Sequence, residues 1–492
     1  MTAALAMEIA VDPIRWTGDD VVTATGARPV ARVRDPSQLF FTTACIDSRC
    51  VADQALFIAL RGPNHDAHDY VGQALAAGAT AALVERVPEA VDAAKCLLVA
   101  DTLRGLGDLA HWCREQNSAL QVLAITGSNG KTTTKEMFAS ICDEAMRDVP
   151  GTILKTAGNQ NNLVGLPLTL LRMGGTEAVA ILEMGMNQPG EIARLTEIAR
   201  PDFGVITNVG AAHLEGLGSL DGVAAAKGEL FAGMADTATI AVNVDDERVR
   251  RLAQRFPGRQ VAFGAGAEVC ATDLVDRGFV DRGFVGSEMK LHAGGDRVDL
   301  RLAFAGLHNV QNALAAAALG YAMGFPLATI AAGLAAARPP AMRMQVVALD
   351  NGVVLVDDSY NANPSSVIAG LRAAAVGGRR SWAVLGEMRE LGGHSARLHR
   401  EVGAEAARLG IDYLVAVGPH AGETAGGARG EAGGIWVHEC ADASAAAELV
   451  RSQWRDGDVV LVKGSRGADD EPAVRRYGSR MAEVVALLGG KT

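Results

Sequence analysis

Gly127, Gly130, Lys131 and Thr132 stand together in the stretch AITGSNGKTTTKEM (Ala124–Met137), directly behind the apolar run LQVLAIT (Leu120–Thr126). A strand, a glycine turn and a helix opening on lysine and threonine meet the mechanical needs of a phosphate cradle. The glycines let backbone N–H groups turn inward, and those groups with the helix N-terminus bind an anion. Lys131 would reach the β- and γ-phosphates of a nucleotide, and Thr132 would offer a hydroxyl to Mg²⁺. The common form G-x-x-x-x-G-K-[ST] asks for a glycine where this chain has Ile125. The match is therefore incomplete at one position.

A phosphate-bound Mg²⁺ needs further ligands. Glu183 closes the apolar run AVAILEM (Ala178–Met184), and His213 follows DFGVITNV (Asp202–Val209). In an open parallel sheet ligands gather at the carboxyl ends of strands, where both residues fall. A lone loop histidine is as often a surface or core residue, and Lys227 in AAAKGEL (Ala224–Leu230) would by default be a solvated helix lysine.

Around these residues, short apolar runs alternate with helical patterns, as in a doubly wound α/β domain. The 492 residues exceed one core, and three α/β regions are expected. They are a small N-terminal domain (1–117), a central P-loop ATPase-like domain with a mostly parallel sheet (118–338) and a C-terminal Rossmann-like domain (339–492). Pro339 and Pro340 mark a hinge between the last two. The uncharged run Ala313–Ala337 reads as two alanine-rich helices broken at Gly324–Pro326, since alanine and glycine insert poorly into a bilayer. The tandem DRGFVDRGFV (Asp276–Val285) reads as a surface loop or hairpin.

The net charge of −11 and 4% aromatic content argue against nucleic-acid binding by bulk electrostatics or base stacking. Seven cysteines without C-x-x-C spacing suggest neither a zinc site nor a disulfide framework. The first residues lack a basic segment before an apolar one and do not read as a signal peptide. A cytoplasmic chain without membrane insertion is expected, acting as a monomer.

Several segments together resemble the Mur ligases, ATP-dependent amide-forming enzymes of peptidoglycan synthesis. They are TGSNGKTT (Thr126–Thr133), EMG (Glu183–Gly185), NVGAAHLEGLGS (Asn208–Ser219), AKGEL (Ala226–Leu230), GLHNVQNALAA (Gly306–Ala316) and DDSYNANPSS (Asp357–Ser366). That family uses the short loop G-x-x-G-K-[ST], which accounts for Ile125. GNQNNLVGLPLTLL (Gly158–Leu171) and LGEMRELGGHSARLH (Leu385–His399) resemble the members that act on the third-to-fourth stem position. The activity this implies is ligation of D-alanyl-D-alanine to UDP-N-acetylmuramoyl-tripeptide through an acyl phosphate, giving the pentapeptide, ADP and phosphate. Another amide ligase of the superfamily, or a nucleotide-switched binding protein, are the readings left open beside it.

The resemblance also implies residue roles. Gly127, Ser128, Asn129, Gly130, Lys131, Thr132 and Thr133 would hold ATP phosphates. Thr132, Glu183, His213 and Lys227, the last as a carbamate, would surround magnesium. Lys131, Lys227 and His213 would serve catalysis. Asn309 would meet adenine, and Arg343 and Asp358 ribose and phosphate. Ser48 and Arg49 would hold the UDP part, a diphosphate suiting the guanidinium fork. Asn159, Asn161 and Asn162 would contact the sugar-peptide, and Tyr360, Asn361 and Asn363 the incoming dipeptide.

Overall fold

The computed structural model of the chain describes residues 15–30, 36–62, 65–147, 153–280, 283–375, 380–467, 476 and 479–490. The stretch read above as lacking a signal peptide lies almost wholly outside them. Three larger sheets, of five, nine and six strands, follow one another along the chain, in agreement with a multi-sheet α/β reading.

The first sheet contains Thr43–Cys45, Ala55–Ile58, Ala81–Val84 and Cys96–Leu98 in parallel, with Arg28–Pro29 antiparallel at one edge. Helix α1 (Thr102–Gln116) leads out of it. Its Asp108 pairs with Arg194 at 2.5 Å, and the buried Arg114 pairs with Asp202 at 3.0 Å. The first sheet is thus clamped to the second through one helix.

The second sheet begins with β1 (Gln121–Thr126). Its apolar run has no polar face because both faces are covered: Val122 and Ala124 enter one core, Leu123 and Ile125 another. Helix α2 (Lys131–Ala145) follows, then β2 (Ile153–Lys155), α3 (Gly165–Leu170), β3 (Val179–Glu183), α4 (Glu191–Ala199) and β4 (Phe203–Ile206). Helix α5 (Leu220–Gly233), β5 (Thr239–Asn243) and β6 (Arg259–Phe263) continue the alternation. β7 (Val269–Val280), β8 (Gly283–Ala293) and β9 (Asp296–Leu302) close the sheet as an antiparallel meander. The strand order is β9-β8-β7-β6-β5-β4-β1-β3-β2. The chain therefore leaves β1 to opposite sides, toward β3 and toward β4, and the crevice of such a sheet lies beyond the carboxyl end of β1.

The duplicated DRGFV falls across the ends of β7 and β8, a hairpin as expected, with residues 281 and 282 outside the described ones. The alanine-rich run forms two helices, α6 (His308–Ala322) and α7 (Leu327–Ala336), separated at Gly324, whose φ of +82° only glycine adopts freely. Among the described residues no helix is long and apolar enough to cross a membrane.

The third sheet has β10 (Gln345–Ala348), β11 (Val354–Asp358), β12 (Ser381–Leu385), β13 (Tyr413–Val417), β14 (Trp436–Cys440) and β15 (Val459–Lys463). Its order is β10-β11-β15-β12-β13-β14, parallel except at β10. Helices α8 (Pro364–Ala374) and α9 (Ser395–Arg408) belong to it.

Candidate active site

The turn between β1 and α2 is built from backbone that side chains would block. Gly127 has φ +150°, and a Cβ there would lie 1.9 Å from Oγ1 of Thr207. Gly130 has φ +84°, and a Cβ there would lie 2.1 Å from Oδ1 of Asn312. The end of β4 stitches the turn from outside. Thr207 Oγ1 donates to Asn129 O at 2.6 Å, Ser128 Oγ donates to Gly210 O at 3.0 Å, and Asn129 N donates to Asn208 Oδ1 at 3.0 Å. No side chain caps the start of α2, which leaves its first N–H groups for an anion.

Lys131 opens α2 and donates from Nζ to Gly127 O at 2.7 Å. Burial lowers its pKa, and Arg343 adds to that, while Glu183 and Glu390 oppose it. Three charged groups, Glu183, Arg343 and Glu390, therefore share the space around one ammonium. Lys227, from α5, is 2% exposed and has no hydrogen-bond or ion-pair partner among the described residues. Desolvation, helped by the charge of Lys131, pushes its pKa well down. It is not a solvated helix lysine, and its environment favours the neutral, nucleophilic amine.

Glu183 ends β3 and is 2% exposed. Thr132 Oγ1 donates to one carboxylate oxygen at 2.8 Å, and Asn161 Nδ2 donates to the other at 2.9 Å. The backbone of Glu183 is held by Thr156, whose own carbonyl accepts from the buried Lys135 at 2.7 Å. Two neutral donors hold the two oxygens of this carboxylate. A hard oxygen ligand beside an anion cradle fits Mg²⁺, which is ordinarily held by one or two carboxylates together with phosphate oxygens. Among the described residues no three His, Cys, Asp or Glu side chains converge to hold a metal by themselves.

His213 sits in the loop after β4, with Nδ1 2.5 Å from Oε2 of Glu390, a residue of the third sheet. The third sheet touches the phosphate turn as well. Asn363 Nδ2 donates to Asn129 Oδ1 at 2.8 Å, and Asn129 Nδ2 donates to Ser365 Oγ at 2.8 Å. Arg343 lies over the Tyr360 ring at 4.2 Å. Asp358 accepts from Lys463 Nζ at 2.5 Å, and Asn361 O accepts from the same amine at 2.9 Å.

Beside the turn lies a cavity of about 430 Å³ whose lining includes Asn129, Gly130, Asp245, His308, Gln311 and Asn312. Asn309 is placed differently. It is buried, with Nδ2 on Ala305 O at 2.7 Å and Oδ1 accepting from Asn312 at 2.9 Å. Asn312, one turn further along α6, is the asparagine that reaches the cavity. His308 also lines it, and burial lowers its pKa to about 4, so it is neutral near pH 7. Neither residue was singled out from the sequence. The i, i+3 spacing of the two asparagines on a helix was the available signal, and it does not say which face is open.

The remaining candidates lie apart from this cluster or serve local structure. Ser48 and Arg49 follow Thr43–Cys45 in the first sheet. Ser48 donates to Gln73 at 3.2 Å, and Arg49 folds onto Asp47 at 2.6 Å on the surface. Asn162 Oδ1 accepts from Val164 N and Gly165 N at the start of α3. Asn159 O accepts from Asn161 N at 2.8 Å.

Known proteins match this arrangement along most of the chain. Residues 125–320 fit the family model of the Mur ligase middle domain, and residues 342–466 that of the Mur ligase glutamate ligase domain. UDP-N-acetylmuramoyl-tripeptide–D-alanyl-D-alanine ligase of Escherichia coli strain K12 is 39% identical over 87% of this chain and 92% of its own. The Bacillus subtilis strain 168 enzyme of the same name is 33% identical over 87% and 91%. A crystal structure of MurF from Acinetobacter baumannii superposes with a TM-score of 0.84 at 32% identity, covering 97% of this chain and 99% of that one. MurF ligase from Thermotoga maritima in complex with ADP gives a TM-score of 0.78 at 27% identity, covering 91% and 96%.

Proposed function

The chain belongs to the Mur ligase family, and from that premise we propose that it joins D-alanyl-D-alanine to UDP-N-acetylmuramoyl-tripeptide at the expense of ATP. The observation that carries the reading is the uncapped start of α2, with Lys131, Thr132 and the buried Glu183 gathered at one strand end. The curated relatives quoted above carry the name of that ligase along nearly their whole length.

A carboxylate resists attack by an amine because oxide must leave. Phosphorylation removes that barrier: the tripeptide carboxylate takes the γ-phosphoryl group, the amine of the dipeptide adds to the acyl phosphate, and phosphate departs. Lys131 and the N–H groups of Gly127–Thr133 orient the triphosphate and spread the charge of the transferring group. Thr132 and Glu183 are the residues that would hold Mg²⁺, with His213 near them, and such an ion neutralises phosphate oxygens when bound. Lys227 supplies an amine that is unpaired and desolvated, the state in which carbon dioxide converts lysine to a carbamate. Asn312, His308 and Asp245 face the nucleoside. Asn161 belongs to both the Glu183 carboxylate and the muropeptide side. Arg343, Asp358, Tyr360, Asn361 and Asn363 reach the site from the third sheet, and Ser48 and Arg49 hold the UDP end from the first. The acyl phosphate must be kept from water, and closure of residues 339–492 about Pro339–Pro340 does so. The proposal places the enzyme in the cytoplasm as a monomer.

The test is acceptor choice. With the tripeptide and ATP present, D-alanyl-D-alanine supports amide formation, and single amino acids do not. Equal use of single amino acids would point to a sibling ligase instead.

A further inference from the structure

Lys463 closes β15 behind four buried apolar residues and is itself only 3% exposed. An ammonium in that position must find its hydrogen bonds inside the protein. It donates to Asp358 Oδ2 at 2.5 Å and to Asn361 O at 2.9 Å. Asp358 is its register partner and the last residue of β11, so the ion pair joins two neighbouring strands at their carboxyl ends. From there Asp358 and Lys463 act in opposite directions on the charge of His308, on the wall of the cavity beside the phosphate turn.

Strand order lets β15 serve two loops at once. It lies between β11 and β12, so the residues after it run between the loops that follow those strands. Residues 359–363, between β11 and α8, are irregular, and their carbonyls need donors from elsewhere. Lys463 serves Asn361, and Ser465 Oγ donates to Ala362 O at 3.2 Å. Toward the other loop, Ser465 N donates to Glu387 O at 2.8 Å, and Ser465 Oγ accepts from Arg389 N at 2.9 Å. Gly464 lets these segments close up, since a Cβ there would lie 2.4 Å from Met481 Cγ and 3.2 Å from Gly386 Cα.

Resting on the ligase reading, we propose that Lys463 is a positioning residue that sets the nucleotide-facing and dipeptide-facing groups of the third sheet together. In that reading Asp358 faces ribose and phosphate, and Asn361 faces the incoming dipeptide. One ammonium fixes the side chain of the first and the backbone carbonyl of the second, three residues further on. Lys463 touches neither substrate and acts through those two residues. A change at Lys463 therefore reaches both substrates that the third sheet handles, whereas a change at Asp358 reaches chiefly the nucleotide. The UDP end, held from the first sheet, lies outside its influence.

The test compares Lys463→Met, Asp358→Asn and the double variant with wild type, as full chains in steady-state ligation assays. Lys463→Met should raise KM for ATP and for D-alanyl-D-alanine about ten-fold each, the worth of a lost hydrogen bond to a charged group. KM for UDP-N-acetylmuramoyl-tripeptide should stay near that of wild type. Asp358→Asn should raise KM for ATP and move that for the dipeptide far less. The double variant should match Lys463→Met for both, because the two side chains act as one unit. A dipeptide KM unchanged in folded Lys463→Met, or a rise shared equally by the UDP substrate, would overturn the inference. So would a fall in kcat alone, which is the mark of a smaller folded fraction. Should Lys463→Met not fold, the double variant, which leaves no unpaired charge behind, is compared with Asp358→Asn instead. A dipeptide KM raised about ten-fold between those two then supports the inference, and an equal one overturns it. Failure of the ligase reading would look different, since wild type would then form no amide with any acceptor.

Discussion

The amide of Asn363 donates to the amide of Asn129 at 2.8 Å, so the residue that caps helix α8 in the third sheet also grips the tip of the phosphate turn in the second. Ser365 accepts from the other end of Asn129, which completes a polar triangle between the two sheets. Each bond is worth about 1 kcal/mol, a few-fold in rate. Ser365→Ala, which removes one of these bonds, should lower kcat/KM by about that amount, Asn129→Ala, which removes both, by more, and the double variant should be no worse than Asn129→Ala. Additive losses in steady-state ligation assays would show that the two side chains act separately.

Gly130 bears a tight steric demand where the turn meets the cavity. Alanine there must both adopt φ +84° and displace Asn312, whose Oδ1 would be 2.1 Å away. Asn312 lines the cavity beside the turn, so Gly130→Ala should raise KM for ATP ten-fold or more, on the scale of a misplaced binding group (roughly 10²-fold per ångström). KM for the dipeptide at saturating ATP should move far less. Equal changes in both would assign the defect to folding.

Lys227 gives a pH-dependent stability with a definite sign. Its pKa lies well below the ordinary 10.5 because burial and Lys131 disfavour the charge. Below the depressed value the folded state carries the full cost of a buried cation. As pH rises through that value the folded state sheds the proton, and the cost fades until the unfolded lysine also titrates near 10.5. Urea midpoints in carbon-dioxide-free buffer should therefore show wild type gaining on Lys227→Met as pH rises. A difference independent of pH would contradict the unpaired, buried amine. Ligation by wild type should fall when bicarbonate is removed and recover when it is restored.

His308 works in the opposite pH range. Burial holds its pKa near 4 against the usual 6.5, so it costs nothing at pH 7. As pH falls below 6.5 the unfolded state takes up the proton first, and stability drains until about pH 4. His308→Asn should flatten that part of the acid unfolding curve. Parallel curves for the two proteins would contradict it.

Local chemistry made much of this legible in the sequence. The phosphate turn was readable because glycine spacing and G-K-T-T are dictated by backbone geometry. The buried strands were readable because continuous apolar runs such as Gln121–Thr126 have two cores to enter. The break in the alanine-rich run was readable at Gly324 and Pro326. The relationships that cross sheets were not. Glu390 reaches His213 over 177 positions in sequence, and nothing in either local stretch names the other. The stitching of Ser128 and Asn129 to residues 207–210 depends on strand order, which spacing does not reveal. Asn309 and Asn312 carry the same side chain three residues apart, and only packing decides that one faces Ala305 and the other the cavity.

The most direct measurement follows UDP-N-acetylmuramoyl-pentapeptide by mass when purified protein receives the tripeptide, D-alanyl-D-alanine, ATP and Mg²⁺. Wild type should form it with one ADP per amide. Lys131→Ala should be slower by about 10²–10⁴, the scale of a lost charge contact in the transition state, while keeping its thermal midpoint. A folded wild type that makes no new amide, or a Lys131→Ala protein that makes it at the same rate, would contradict the account.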